Sequence, residues 1–99
     1  MNENAAVIQT HLLTRFLGRE IFASHKGIGS LYRFRVDGEP THWFYVSYEL
    51  VSDSAPLVLI NLINIHRVAE RLNAATQSKW LFMSRDGLYE VDENFAKDR

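Results

Sequence analysis

Leu31-Tyr32-Arg33-Phe34-Arg35-Val36, then Asp37-Gly38-Glu39-Pro40-Thr41, then His42-Trp43-Phe44-Tyr45-Val46-Ser47-Tyr48-Glu49-Leu50-Val51 is the stretch that decides the fold. Two runs alternating with period two flank one cluster of turn residues, the mark of an antiparallel β-hairpin. Tyr32, Phe34 and Val36 share one face of the first run. His42, Phe44, Val46, Tyr48 and Leu50 share one face of the second, because successive strand side chains point to opposite sides. A connection that leaves the five residues Asp37 to Thr41 unpaired sets Val36 against His42 and Phe34 against Phe44. Both apolar faces then lie on the same side of the sheet. A four-residue connection puts Phe34 opposite Trp43 and Arg35 opposite His42, and the faces no longer coincide. The five-residue connection is therefore the predicted one. It gathers Arg33, Arg35, Trp43, Tyr45, Ser47 and Glu49 on the other face.

Upstream, residues 4 to 17 read as an amphipathic helix with Ala5, Ile8, Leu12 and Phe16 at helical spacing, widened by Leu13 and Leu17. Asn4 or Asn2 is placed to cap it and Gly18 to end it. Arg19 to Ser24 is a short candidate strand, and His25-Lys26-Gly27-Ile28-Gly29-Ser30 a turn.

Downstream, Pro56-Leu57-Val58-Leu59-Ile60 fits either a buried strand or the first turns of a helix that runs to Thr76. Ser54 as cap and Pro56 in the first turn favour the early start; Asn61 as cap favours a later one. Either way Ile65, Val68, Ala69 and Leu72 belong to the core. Trp80 to Met83 returns to strand character, and Asp86-Gly87 marks a tight hairpin before Leu88-Tyr89-Glu90-Val91. The predicted fold is α+β: a single domain over residues 1–99, an antiparallel sheet of four to six strands with two helices packed on one face. A polar tail from about residue 93 to 99 is expected to fray.

Hydrophobic content of 46% and charged content of 23% are those of an ordinary globular chain. With 11 basic against 12 acidic residues there is no excess of positive charge to drive phosphate binding. Nucleic acid is disfavoured as a partner on that ground. No cysteine is present, which excludes a disulfide framework, a thiol nucleophile and Cys-ligated zinc. Met1-Asn2-Glu3-Asn4 lacks the basic start of a signal peptide. The apolar run Ala55 to Ile60 falls far short of the ~20 residues of a membrane span. The chain is expected to be cytoplasmic, with no membrane role.

Chemical motifs are weak. Gly27-Ile28-Gly29 beside Lys26 lacks Walker or dinucleotide spacing and opens onto a strand, so ordinary turn chemistry accounts for it. His11, His25, His42 and His66 sit on separate elements, and only His66 and Glu70 lie one turn apart as a conceivable metal pair. An exposed pair at that spacing is ordinarily a weak polar contact. His42, at the start of an inner strand face, reads as a hydrogen-bonded edge residue. No nucleophile elbow anchors a catalytic triad. The expectation is no catalytic residue, no metal and no cofactor.

The outer hairpin face remains. Arg33 and Arg35 beside Trp43 and Tyr45 suit a protein interface, where Trp, Tyr and Arg form most hot spots. The same set suits a single-stranded nucleic-acid platform, or merely cross-strand cation-π pairs on a solvated sheet. The leading expectation is a small non-enzymatic protein-binding module, homodimer or stoichiometric inhibitor, with Arg33, Arg35, Trp43 and Tyr45 as partner-binding residues. The alternatives are a single-stranded nucleic-acid binder using the same face and a small enzyme whose site is assembled from distant residues.

Overall fold

β2 (Leu31–Val36) and β3 (His42–Ser47) pair antiparallel with Val36 opposite His42, Phe34 opposite Phe44, Arg35 opposite Trp43 and Arg33 opposite Tyr45. This is the register of the five-residue connection, set by bringing the two apolar faces together. A computed structural model describes residues 3–26 and 31–96; the Gly27-Ile28-Gly29 turn and the Asn2 cap lie outside the described residues. Arg19 holds the connection: its Nε donates to the Asp37 carbonyl at 2.8 Å, and its Nη2 donates to the Pro40 carbonyl. Gly38 adopts a φ of +138°, and a Cβ there would lie 2.6 Å from Arg19 Nε. The dihedral favours glycine, and the guanidinium would have to shift to admit a side chain.

The sheet has five strands in the order β1-β2-β3-β4-β5, adding β1 (Ile21–Lys26), β4 (Trp80–Ser84) and β5 (Gly87–Val91). β3 and β4 run parallel and every other neighbouring pair antiparallel. The fold is the expected α+β domain with a mostly antiparallel sheet, β3–β4 being a parallel pair within it. The chain between β3 and β4 is a helical crossover, and such a crossover is what returns a strand in the same direction. His25 and Lys26 belong to β1 rather than to the turn. The last hairpin turns at Arg85-Asp86, with Gly87 paired to Ser84 and carrying a φ of +132°.

Among the described residues four helices, where two were expected, pack on the inner face: α1 (Glu3–Arg15), α2 (Tyr48–Asp53), α3 (Pro56–Ile65) and α4 (Val68–Ala74). β3 stops at Ser47 because its Oγ accepts from the Leu50 N–H at 3.2 Å and caps α2. Tyr48 and Leu50 therefore leave the predicted strand, and Leu50 reaches the same core from a helix. Pro56 takes the first position of α3, which settles the ambiguous stretch as helix. Arg67, in the left-handed region at φ 55°, then separates α3 from α4. That break turns Ile65 outward, although it was expected in the core; Val68, Ala69 and Leu72 are buried as expected. Leu13 and Leu17 also face solvent, so the buried stripe of α1 is the narrower Ala5, Ile8, Leu12, continued by Phe16. Asn4 lies inside α1, and its Nδ2 donates to the Val51 and Ser54 carbonyls at 2.8 Å. These bonds tie α1 to the end of α2. No helix among the described residues is long and apolar enough to cross a membrane.

Candidate interaction surface on the outer sheet face

With the described helices on one side, the other side of the sheet is a surface made by strand register and by the tail that folds onto it. Phe22, Arg35, Trp43, Trp80 and Val91 are successive cross-strand partners and form one row over all five strands. At ~4.8 Å between strands that row is about 19 Å long. The adjacent row is Ser24, Arg33, Tyr45, Phe82 and Tyr89.

The first row is partly open to solvent along its whole length. Trp43 and Trp80 stack with ring centroids 4.8 Å apart and planes 2° from parallel. The Arg35 guanidinium lies 4.6 Å above the Phe22 ring, and Phe22 is 43% exposed. Arg35 Nε is 3.9 Å from Asp37 Oδ1, too long for a hydrogen bond. It is buried and has no hydrogen-bond partner among the described residues.

The middle of the second row is covered by the chain itself, while Tyr89 at its end is 48% exposed. The Asn94 N–H donates to Asp92 Oδ1 at 2.9 Å and the Phe95 N–H to the Asp92 carbonyl at 3.1 Å, which bends the tail back. Phe95 then lies 5.6 Å from the Tyr45 ring and 4.9 Å from Phe82, and Ala96 is buried with Leu31 and Tyr45. The tail was expected to fray from about residue 93; Phe95 and Ala96 pack instead, and 97–99 lie outside the described residues. Tyr45 is left 4% exposed. Burial pushes its hydroxyl pKa up, with the nearby Arg33 guanidinium acting in the opposite sense. Arg33 Nε donates to Ser24 Oγ at 3.3 Å.

Of the four residues read from sequence, Arg35 and Trp43 therefore stand in the open row, Arg33 stands half-buried beside it, and Tyr45 is covered. Arg35 and Trp43 stand opposite each other as expected, and their ring contacts go outward, Arg35 to Phe22 and Trp43 to Trp80. Sequence reasoning missed Phe22, Trp80 and Val91. Their strands were legible, but Phe22 joins the row through the β1–β2 register, and Trp80 and Val91 through the parallel β3–β4 pairing, which leaves no local signal.

The remaining candidates are engaged structurally. His42 is fully buried on the central strand, not at a sheet edge, and its Nδ1 accepts the Lys79 backbone N–H at 3.1 Å. Burial first, then the positive charges of Arg19 and Lys79, hold its pKa below 6.5. Its Nε2 has no hydrogen-bond partner among the described residues. His25 stacks on Tyr32 at 4.6 Å. His11 Nε2 lies 3.2 Å from Asn64 Oδ1. Glu70, the proposed metal companion of His66, is held by Arg15 at 2.9 Å and Arg67 at 3.4 Å. Among the described residues no three His, Cys, Asp or Glu side chains converge on a metal position. Comparison of the chain with protein-family models, with curated proteins and with solved structures finds no match.

Proposed function

We propose that this chain is a small cytoplasmic protein-binding module, a stoichiometric binder or inhibitor of another protein, which works without a cofactor through the open outer row. The observation that supports it is the continuous row Phe22, Arg35, Trp43, Trp80, Val91 across five strands. It joins a stacked indole pair to an arginine already desolvated at Nε. Aromatic rings and arginines are the usual anchors of protein interfaces. The tail shapes this surface, since Phe95 packs on Tyr45 and Phe82 in the second row, while the first row, whose Trp43, Trp80 and Val91 pack against the same cluster, stays partly open.

A nucleic-acid partner finds less support on the same face. Arg33 and Arg35 are its cations, while the folded-back tail brings exposed Asp92 and Glu93 near it and the net charge is −1. Catalysis finds less still, because His42 spends its Nδ1 on the Lys79 N–H in a fully buried position.

The test is affinity capture from the native host's lysate with the wild type and with a Trp43→Ala/Arg35→Ala variant, with and without nuclease. A protein retained after nuclease by the wild type and lost by the variant supports the reading. Material that vanishes with nuclease transfers the face to nucleic acid, and equal retention by the variant removes this surface from the account.

A further inference from the structure

A sheet face that meets water ordinarily alternates to polar side chains. The outer face here instead carries Phe22, Tyr45, Phe82 and Tyr89 besides the stacked indoles. What covers it is small. Residues 92–96 place two side chains on the sheet, Phe95 and Ala96, while Asp92, Glu93 and Asn94 are exposed. Phe22 and Tyr89, at the two ends of the face, stay 43% and 48% exposed. The hydrogen bonds that shape the turn run from the Asn94 and Phe95 N–H groups to Asp92. They are internal to the segment and travel with it when it leaves the sheet. A segment docked by two side chains belongs to the part of a structure that opens without global unfolding.

We infer that residues 92–96 are a built-in ligand of the second row, which the outer-face partner displaces by seating an aromatic side chain between Tyr45 and Phe82 with a small residue beside it. This rests on the outer-face reading and names the chemistry that the partner brings. The occupant already seated there defines that chemistry. Phe95 lies 5.6 Å from Tyr45 at 50° and 4.9 Å from Phe82 at 42°, within the range of attractive aromatic pairs. Ala96, 6% exposed, fills the neighbouring position against Leu31 and Tyr45. Trp43, Trp80 and Val91 pack against the same cluster, so displacement joins both rows into one continuous surface. The tail then acts as a competitor. A partner meets the open site only for the fraction of time that the tail is away, and its apparent Kd is raised by the reciprocal of that fraction. With the open form at about 0.1–10%, the usual range of a minor state, removing the competitor strengthens binding by about tenfold to a thousandfold.

The probe is a synthetic peptide of residues 92–99, titrated into the full-length chain to millimolar concentration and followed by the amide resonances of Tyr45 and Phe82. Three chains are compared: wild type, Phe95→Ala and Ala96→Asp. Neither variant alters a strand residue. Ala96→Asp evicts the tail by setting a carboxylate against Leu31 and Tyr45, and it decides the matter if circular dichroism shows Phe95→Ala to be poorly folded. Both variants are expected to bind the peptide at least about tenfold more tightly than the wild type. The same peptide carrying Phe95→Ala should bind none of the three. Equal binding by all three chains, or no binding by the variants, overturns the inference. The lysate capture supplies the second arm: Phe95→Ala should retain more of the partner than the wild type, and excess peptide should release it. A protein that the wild type captures, that Phe95→Ala captures no better and that the peptide does not release overturns the inference and leaves the outer-face reading standing. Capture by neither chain overturns that reading, and the inference with it.

Discussion

Lowering the pH below 6.5 should destabilise this protein through His42. The side chain is fully buried, its Nδ1 accepts the Lys79 N–H at 3.1 Å, and Arg19 and Lys79 add positive charge nearby. The folded state therefore holds the imidazole neutral and its pKa below the unfolded value of 6.5. Between those two values the unfolded chain binds the extra proton, so stability rises with pH. The contribution is complete above 6.5 and is lost as pH falls through the depressed folded pKa. One proton sets the ceiling at about 1.4 kcal/mol per pH unit. For a domain whose whole stability is of order 5–15 kcal/mol that is readily measured. His42→Asn is the control, since its Oδ1 can accept the Lys79 N–H and does not titrate. Urea unfolding of both proteins from pH 7.5 to 5 isolates the term, because acid effects of the carboxylates are common to the two. The wild type should lose stability faster than the variant below pH 6.5. Parallel curves would refute the placement of a neutral, desolvated imidazole beneath Arg19 and Lys79.

Phe95→Ala removes the ring that covers Tyr45 and Phe82, and the two aromatic contacts make its cost about 1–3 kcal/mol; urea denaturation reads the loss, and quenching of tyrosine emission by acrylamide should rise as Tyr45 becomes accessible. Gly38→Ala forces a Cβ into an unfavourable φ and against Arg19, at about 1–3 kcal/mol. In an Arg19→Ala background the same change should cost less, since the steric part has gone, and a double-mutant cycle by thermal unfolding measures the difference. At position 67 the left-handed backbone makes Val less stable than Gly by about 1–2 kcal/mol, which paired denaturation curves of Arg67→Val and Arg67→Gly should show.

The hairpin was legible because alternation fixes register wherever one face is buried, and Phe34 opposite Phe44 followed from that alone. Ser47 was harder. Tyr48 and Leu50 continue the strand's alternation, while Leu50 and Val51 also satisfy a helix capped by Ser47, and only tertiary packing chooses between the two. Ile65 was misplaced because its spacing from Leu72 presumes one unbroken helix, and no local rule forecasts a left-handed arginine at 67. At the candidate surface, Arg35 and Trp43 could be placed from the hairpin. Trp80 joined them only through the parallel pairing of β4, a contact across the whole helical crossover. Tyr45 was lost to the tail because Phe95 and Ala96 are two apolar residues in an otherwise polar stretch, too short to register as an element.

Site-specific photo-crosslinking in the native host tests the central claim most directly. A benzophenone side chain replaces Phe22, at the solvent-exposed end of the open row, and in a control it replaces Ser52 on exposed α2. The account predicts a nuclease-resistant adduct between position 22 and a different protein, absent from position 52 and lost when Trp43→Ala/Arg35→Ala is added. No adduct at position 22, or the same adduct from both positions, would contradict it.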